Sequence, residues 1–152
     1  MDVTRSSVRR IIKAVCILDG AYDRFSKELG IKGNLLWLLY ALDDGNFHSQ
    51  KQICEDWFFH KTTINTLIKQ CQAEGYVTLR AIPGQKRELH IQLTDDGRRY
   101  VRQMLKSVYE AEDAALQTTL QTCPPEFIAH LETFVKHLKE TFTNYTTKEE
   151  QT

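Results

Sequence analysis

The stretch that decides the fold is Ser49-Gln-Lys-Gln-Ile-Cys-Glu-Asp-Trp-Phe-Phe-His-Lys-Thr-Thr-Ile-Asn-Thr-Leu-Ile-Lys-Gln-Cys-Gln-Ala-Glu-Gly75. Ser49 and Gln52 have the spacing of a capping box, in which the side chain of each residue accepts a hydrogen bond from the backbone N–H of the other. After a turn at residues 58–60, apolar side chains recur at i, i+3, i+4 and i+7, and Gly75 ends this second helix. A capped short helix, a tight turn and an amphipathic helix predict a helix-turn-helix.

The exposed face of the second helix, predicted over about 61–74, is polar and carries no acid from 61 to 70. In a helix-turn-helix, the N-terminal part of this helix enters the major groove of DNA. Thr and Asn read base edges, and Lys pairs with phosphate. Ordinary solvated faces mix Glu with Lys, so we favour DNA recognition over a plain surface helix. The predicted contacts on the two helices are Ser49, Gln50, Lys51, Lys61, Thr62, Thr63, Asn65, Thr66 and Lys69.

A basic hairpin follows and is predicted as a wing over about 76–93. Its second strand alternates strictly between apolar and polar residues, and Pro83-Gly84 fits the centre of a type II turn. Beside a helix-turn-helix, the tip of this hairpin would lie next to the duplex. The wing residues that we expect to reach the DNA backbone or the minor groove are Arg80, Lys86 and Arg87.

Long helical segments flank this lobe, so the predicted fold class is mainly α, an α+β winged helix-turn-helix. We predict an N-terminal dimerisation helix over 1–33, the winged-helix lobe over 34–94, C-terminal dimerisation helices over 95–145 and a frayed tail over 146–152. Asn34 and Thr94 are expected to cap the helices that follow them. The last helix is expected to begin near Pro124, and Trp57 is expected to be buried. The apolar stripes of the outer helices exceed what the lobe can cover. This favours a two-fold homodimer on a palindromic double-stranded operator over a monomer whose helices fold back.

Composition limits the other classes of function. The chain has 152 residues, no net formal charge and 26% charged residues, yet residues 49–109 hold ten Lys/Arg against six Asp/Glu. This distribution predicts a local binding face rather than indiscriminate polyanion binding. No apolar run approaches the roughly 18 residues of a membrane span, and the N-terminus is unlike a signal peptide, so we expect a cytoplasmic protein. The sequence contains neither a phosphate-cradling glycine loop nor a nucleophile–base motif, so we do not expect an enzyme.

The cysteines and histidines do not have the spacing of a metal site, and we predict no metal and no cofactor. Four widely spaced cysteines are expected to be reduced and mostly buried: Cys16, Cys54, Cys71 and Cys123. Glu126, His130 and His137 fall on one predicted helix, where a solvated face is favoured over a metal site.

The sequence resembles the MarR family of winged-helix transcriptional regulators. The similarity rests on the helix order, the run 62–69, Glu74-Gly-Tyr-Val77, the hairpin and Leu93-Thr-Asp-Asp-Gly97. The resemblance implies a homodimer with a recognition helix from residue 61. Family wings carry an Asp-x-Arg pair; Arg87 stands at the Arg position and takes over its DNA contact. Gln85 stands at the Asp position, so the usual ion pair within the wing is not expected.

The resemblance also implies a small-molecule effector. Many members release DNA when a small, often aromatic acidic ligand binds between the dimer helices and the lobe. The candidate ligand contacts are aromatic residues near that junction, for which core packing is the alternative: Tyr22, Trp37, Tyr40 and Trp57. Two further alternatives stay open, a winged-helix module that binds another protein and a redox sensor that uses Cys16. The apolar neighbours of Cys16 argue against the second, because they raise a thiol pKa.

Overall fold

The computed structural model describes residues 3–82 and 84–149, and for residues 85–87 and 147–149 it describes the backbone alone. The elements within this part of the chain are α1 (Val3–Glu28), α2 (Gly33–Leu42), β1 (His48–Ser49), α3 (Gln50–Trp57), α4 (Lys61–Ala73), β2 (Val77–Ile82), β3 (Gln85–Leu93), α5 (Asp95–Leu120) and α6 (Phe127–Glu149). The three strands form one antiparallel sheet in the order β1-β3-β2. The predicted mainly α, α+β winged helix is confirmed.

Helix α2 is the centre of the lobe because it is apolar on nearly every face. It packs against α1, α3, α4 and β3. The fully buried side chains of this core include Leu36, Leu38, Leu39, Leu42, Ile53, Ile64, Ile91, Val101 and Leu105. Asn34 was expected to cap α2, but the helix already begins at Gly33, with Lys32 at the N-cap position and no side-chain cap bond.

The turn before β1 is held by a carboxylate. Asp44 accepts hydrogen bonds from the backbone and side-chain nitrogens of Asn46, both at 2.9 Å, and its Oδ1 lies 2.8 Å from His48 Nε2. Burial alone would raise the pKa of Asp44, but the bonds from Asn46 and His48 outweigh it and lower the pKa from 3.8 to about 2. The turn directs β1, which pairs His48 with Ile91 and Ser49 with His90.

A small hydrogen-bonded junction joins the end of α4 to the start of α5. Thr94 Oγ1 donates to the Gly75 carbonyl at 2.7 Å and accepts from Gly97 N at 2.9 Å, which confirms Thr94 as a helix cap. Thr94 N donates to the Tyr76 carbonyl at 3.0 Å. A Cβ on Gly97 would lie 2.0 Å from that same oxygen. The Leu-Thr-x-x-Gly run therefore has a structural cause, since the junction admits only glycine at residue 97.

The chain divides into two compact units, Met1–Val108 and Tyr109–Thr152. The first unit contains the lobe, α1 and the first half of α5, whose Val101, Leu105 and Val108 are buried. The second contains the rest of α5 and α6, which begins at Phe127 rather than near Pro124 as expected. Among the described residues, no helix has both the length and the apolar character needed to cross a membrane.

Candidate nucleic-acid interface

The start of α3 is fastened by the predicted capping box. Ser49 Oγ accepts from Gln52 N at 3.1 Å, and Gln52 Oε1 accepts from Ser49 N at 3.0 Å. Ser49 was also predicted to contact DNA, but it is only 5% exposed and its hydroxyl oxygen already serves the cap. We therefore leave Ser49 out of the candidate interface as a correction to the sequence-based set.

The other two predicted residues on α3 have different surroundings. Gln50 is half-buried, and its Nε2 donates to the Lys61 carbonyl at 3.3 Å, which links the first turns of α3 and α4. Lys51 is exposed, with its Nζ 3.9 Å from a carboxylate oxygen of Glu55. An exposed pair at that distance contributes little to stability. Lys51 therefore remains able to pair with another anion.

Helix α4 separates a buried apolar face from an exposed polar face. Ile64, Ile68 and Cys71 are buried. The helix contains no Asp or Glu along its 13 residues, and the exposed side chains on its outer face include Lys61, Thr62, Asn65, Thr66 and Lys69, with Thr63 half-buried beside them. Thr66 Oγ1 donates to the Thr62 carbonyl at 3.0 Å, so its hydroxyl is left mainly as an acceptor. This face combines amide and hydroxyl groups with two lysines.

The turn into α4 leaves the helix N-terminus without a side-chain cap. His60 occupies the N-cap position and makes no side-chain cap bond within the described part of the chain. Open first-turn N–H groups and the helix dipole attract phosphate oxygens. Phe58 adopts the left-handed region at a φ of 53° and is 86% exposed. The turn thus presents an uncapped helix end next to an exposed aromatic ring.

The wing is a two-stranded ribbon with an irregular tip. Strands β2 and β3 pair Arg80 with His90, and their register shifts between Ala81 and Ile82. Arg80 is exposed on β2. Gly84 has a φ of 82°, which suits the third position of a type II turn. The other turn residue, Pro83, and the predicted contact side chains of Lys86 and Arg87 lie outside the described structure.

A cleft of about 680 Å³ separates α4 from the wing. Its apolar floor includes Leu79 and Ile91, while lysines of α3 and α4 share its rim with Glu55 and Glu88. The rim is therefore mixed in charge, whereas the outer face of α4 is free of acids. Among the described residues of the lobe, the lysines of α4 are therefore the positive charges best placed to contact a polyanion.

The cysteines differ from the prediction that most are buried. Only Cys71 is buried; Cys54 and Cys123 are half-buried and Cys16 is exposed. Burial, with the nearby Glu74 carboxylate, raises the pKa of Cys71 from 9.0 to about 11. Within the described residues, no three metal-ligating side chains gather into a site.

Four aromatic residues from three helices form a ring cluster: Tyr22 on α1, Trp37 and Tyr40 on α2, and Trp57 at the end of α3. Ring centroids lie 4.7 Å apart for Tyr22–Trp37, 5.8 Å for Trp37–Tyr40 and for Trp37–Trp57, and 5.6 Å for Tyr40–Trp57. Trp57 was expected to be buried but is 37% exposed, and the other three rings are half-buried. The four predicted ligand contacts are therefore adjacent, and solvent reaches them.

The sequence profile of the MarR family matches residues 29–88, which cover α2 to the first part of β3. No protein with a curated description matches the chain.

Several solved structures share the fold. NMB1585, a MarR family regulator from Neisseria meningitidis, superposes with a TM-score of 0.76 at 19% identity, over 91% of this chain and 98% of that one. Sco3205, a MarR family transcriptional regulator from Streptomyces coelicolor solved with DNA, gives 0.64 at 19% identity, over 93% and 89%. NadR in complex with 4-hydroxyphenylacetate gives 0.66 at 14% identity, over 84% and 88%. The chain is thus similar to the MarR family over residues 29–88, and it shares the winged helix-turn-helix fold of these solved regulators.

Proposed function

We propose that the protein is a homodimeric, sequence-specific DNA-binding regulator whose affinity for DNA changes when a small molecule binds at the ring cluster. The observation that carries the DNA-binding part is the composition of α4. Its inner face is apolar and buried, and its 13 residues include no acid. A helix that faced only solvent would gain from Glu–Lys pairs along its surface, and α4 has none.

The exposed side chains of the candidate interface suit two kinds of contact with DNA. Asn65 and Thr63 carry the groups that read base edges, and we assign them sequence preference. Lys61, Lys69 and Arg80 carry cations suited to phosphate, and we assign them position and affinity. The remaining proposed contacts to the DNA backbone or base edges are Gln50, Lys51, Thr62, Thr66, Lys86 and Arg87.

Exposed apolar side chains on the outer helices support the homodimer. On α1, Ile17 is 63% exposed, and on α6 Phe142 and Tyr145 are 62% and 67% exposed. Further exposed apolar residues on the same helices are Ile12, Val15, Leu18, Ile128, Leu131 and Val135. Large apolar side chains exposed along a helix are a feature of interfaces, and a second copy of the chain supplies matching helices. Two copies would place two α4 helices on successive turns of a palindromic operator.

The position of the ring cluster supports the ligand response. It connects Tyr22 on α1 with Trp57, the last residue of α3, and only three residues separate Trp57 from the start of α4. A ligand that separates the rings would therefore move the helix-turn-helix relative to α1. Sco3205 with DNA and NadR with 4-hydroxyphenylacetate are relatives solved in each kind of complex.

Selection from random duplex DNA, followed by affinity measurements at several salt concentrations, tests the proposal. Lys69→Ala should lower the slope of log affinity against log salt by about 1, because one phosphate contact is lost. Lys139→Ala, an exposed lysine on α6, is the matched control and should leave the slope unchanged. Asn65→Ala should alter sequence preference more than nonspecific binding.

The competing function is a winged-helix module that binds another protein. Absence of salt-dependent binding to any duplex by the wild-type protein, together with normal folding, would favour that module and reject the regulator. Sedimentation in the same buffer tests the homodimer separately from the DNA contact.

A further inference from the structure

We propose that the effector held at the ring cluster is a small organic cation, such as a quaternary ammonium compound, rather than an aromatic acid. The inference rests on the proposed ligand response and specifies its chemistry. A cavity of about 200 Å³ lies between α1 and the start of α2, and Tyr22 and Trp37 of the ring cluster form part of its wall. Asp19 and Asp23 of α1 line the same cavity.

The rings supply the first part of the recognition. The centroids of Tyr22 and Trp37 lie 4.7 Å apart with their planes inclined by 51°. Both rings belong to the wall of the cavity, so an occupant lies against two aromatic side chains. The face of an aromatic ring carries negative potential, and Trp and Tyr attract cations within about 6 Å of the ring centre.

The carboxylates supply the second part. Asp19 and Asp23 are one helical turn apart and therefore face the same way. Lys27 Nζ lies 2.6 Å from Asp23 Oδ2 and offsets the charge of that carboxylate. Asp19 makes no ion pair with any side chain that the structure describes. No Lys or Arg is among the described residues that line the cavity. An aromatic acid would thus meet a carboxylate without a compensating cation, whereas an organic cation would be paired.

The N-terminus of α2 is the opposing effect, because Gly33 and Asn34 also line the cavity. A helix N-terminus is equivalent to about half a positive charge. The full charge of the Asp19 carboxylate exceeds it, so the balance at the cavity remains negative. The same geometry has another interpretation, in which Asp19 only stabilises the end of α2 and holds no ligand. The experiment must separate these two roles.

Tryptophan fluorescence of the full chain provides a direct measurement, since both tryptophans of the protein belong to the ring cluster. The probes are benzyltrimethylammonium and 4-hydroxyphenylacetate, titrated at constant ionic strength. We expect a saturable change in emission with the cation and none with the anion. Saturable binding of the anion alone, or of neither probe, would overturn the proposal.

Charge variants identify the role of Asp19. Asp19→Asn should weaken cation binding by about tenfold, whereas Asp19→Glu, which keeps the charge, should lose about threefold or less. Asp113→Asn, an exposed carboxylate on α5, is the control and should bind like wild type. If Asp19→Asn lowers the melting temperature but leaves cation affinity unchanged, Asp19 only supports α2 and the proposal fails.

Operator binding by the same preparation separates this inference from the proposed function. Selective DNA binding without cation binding would retain the regulator and reject the cationic effector. Cation binding that is lost in Asp19→Asn, in a protein that binds no DNA, would retain the site and reject the regulator. A cation that binds and shifts operator affinity by about tenfold supports both.

Discussion

Replacing Gly97 with alanine tests the explanation of the junction between α4 and α5. The new Cβ would lie 2.0 Å from the Tyr76 carbonyl oxygen, although real Cβ atoms almost never come within 3.0 Å of such a neighbour. The first turn of α5 must therefore move by about 1 Å. That shift strains the Thr94 N–Tyr76 O bond of 3.0 Å and the Gly97 N–Thr94 Oγ1 bond of 2.9 Å.

The expected loss of stability follows from three contributions. Two weakened hydrogen bonds cost about 2 kcal/mol together, and overpacking adds about 1–3 kcal/mol. The preference of helices for alanine over glycine returns about 1 kcal/mol. We therefore expect Gly97→Ala to lower the free energy of unfolding by about 2–4 kcal/mol.

Gly20→Ala is the matched control for this prediction. Gly20 lies inside α1, another helix of 26 residues, and a Cβ there would meet nothing within 4 Å. Helix propensity alone should then act and stabilise the protein by about 0.5–1 kcal/mol. Urea unfolding followed by circular dichroism, at one protein concentration for all variants, gives both values. A Gly97→Ala protein at least as stable as wild type would refute the steric explanation.

Three other properties of the fold can be tested by measurement. Cys71, whose pKa is about 11, should react with a thiol reagent at pH 8 far more slowly than the exposed Cys16, as mass spectrometry of the labelled peptides would reveal. The pKa of Asp44 is lowered, so the contribution of its carboxylate to stability is complete above about pH 4 and disappears as the pH falls towards 2. The difference in unfolding free energy between wild type and Asp44→Asn should therefore narrow over that pH range. A difference that stays constant would contradict this explanation. Phe58→Gly should raise the free energy of unfolding by about 1 kcal/mol, because a left-handed residue with an exposed ring gains little from its side chain, and a loss of stability would reveal packing at Phe58.

The helix-turn-helix was largely predictable because its signals are local. The capping box needs only the four residues from Ser49 to Gln52, and the structure contains both of its bonds. The period of apolar residues predicted a helix over about 61–74, and α4 runs from Lys61 to Ala73. Both signals depend on neighbours within one or two turns, which the sequence displays directly.

Strand β1 and the start of α2 were missed because they depend on partners elsewhere in the chain. Two residues, His48 and Ser49, are too few for an alternating pattern, and their pairing with β3 exists only once the hairpin has folded. Asn34 is a good capping residue by type, but the chain becomes helical one residue earlier. Ser49 shows another limit of sequence reasoning. Its hydroxyl group suits both a helix cap and a DNA contact, and only the structure shows that it is buried in the cap.

The charge around the ring cluster shows why a family resemblance alone does not identify an effector. The four aromatic residues were predicted as ligand contacts one by one, from their types and approximate location. Which charges surround them depends on how α1 packs against α2, and this packing brings Asp19 to the cavity that Trp37 lines, 18 positions along the chain. Asp19 and Asp23 line this cavity, and its described lining includes no Lys or Arg to pair with an acidic ligand. The side chains that surround the cavity in this chain therefore determine which sign of effector charge to test first.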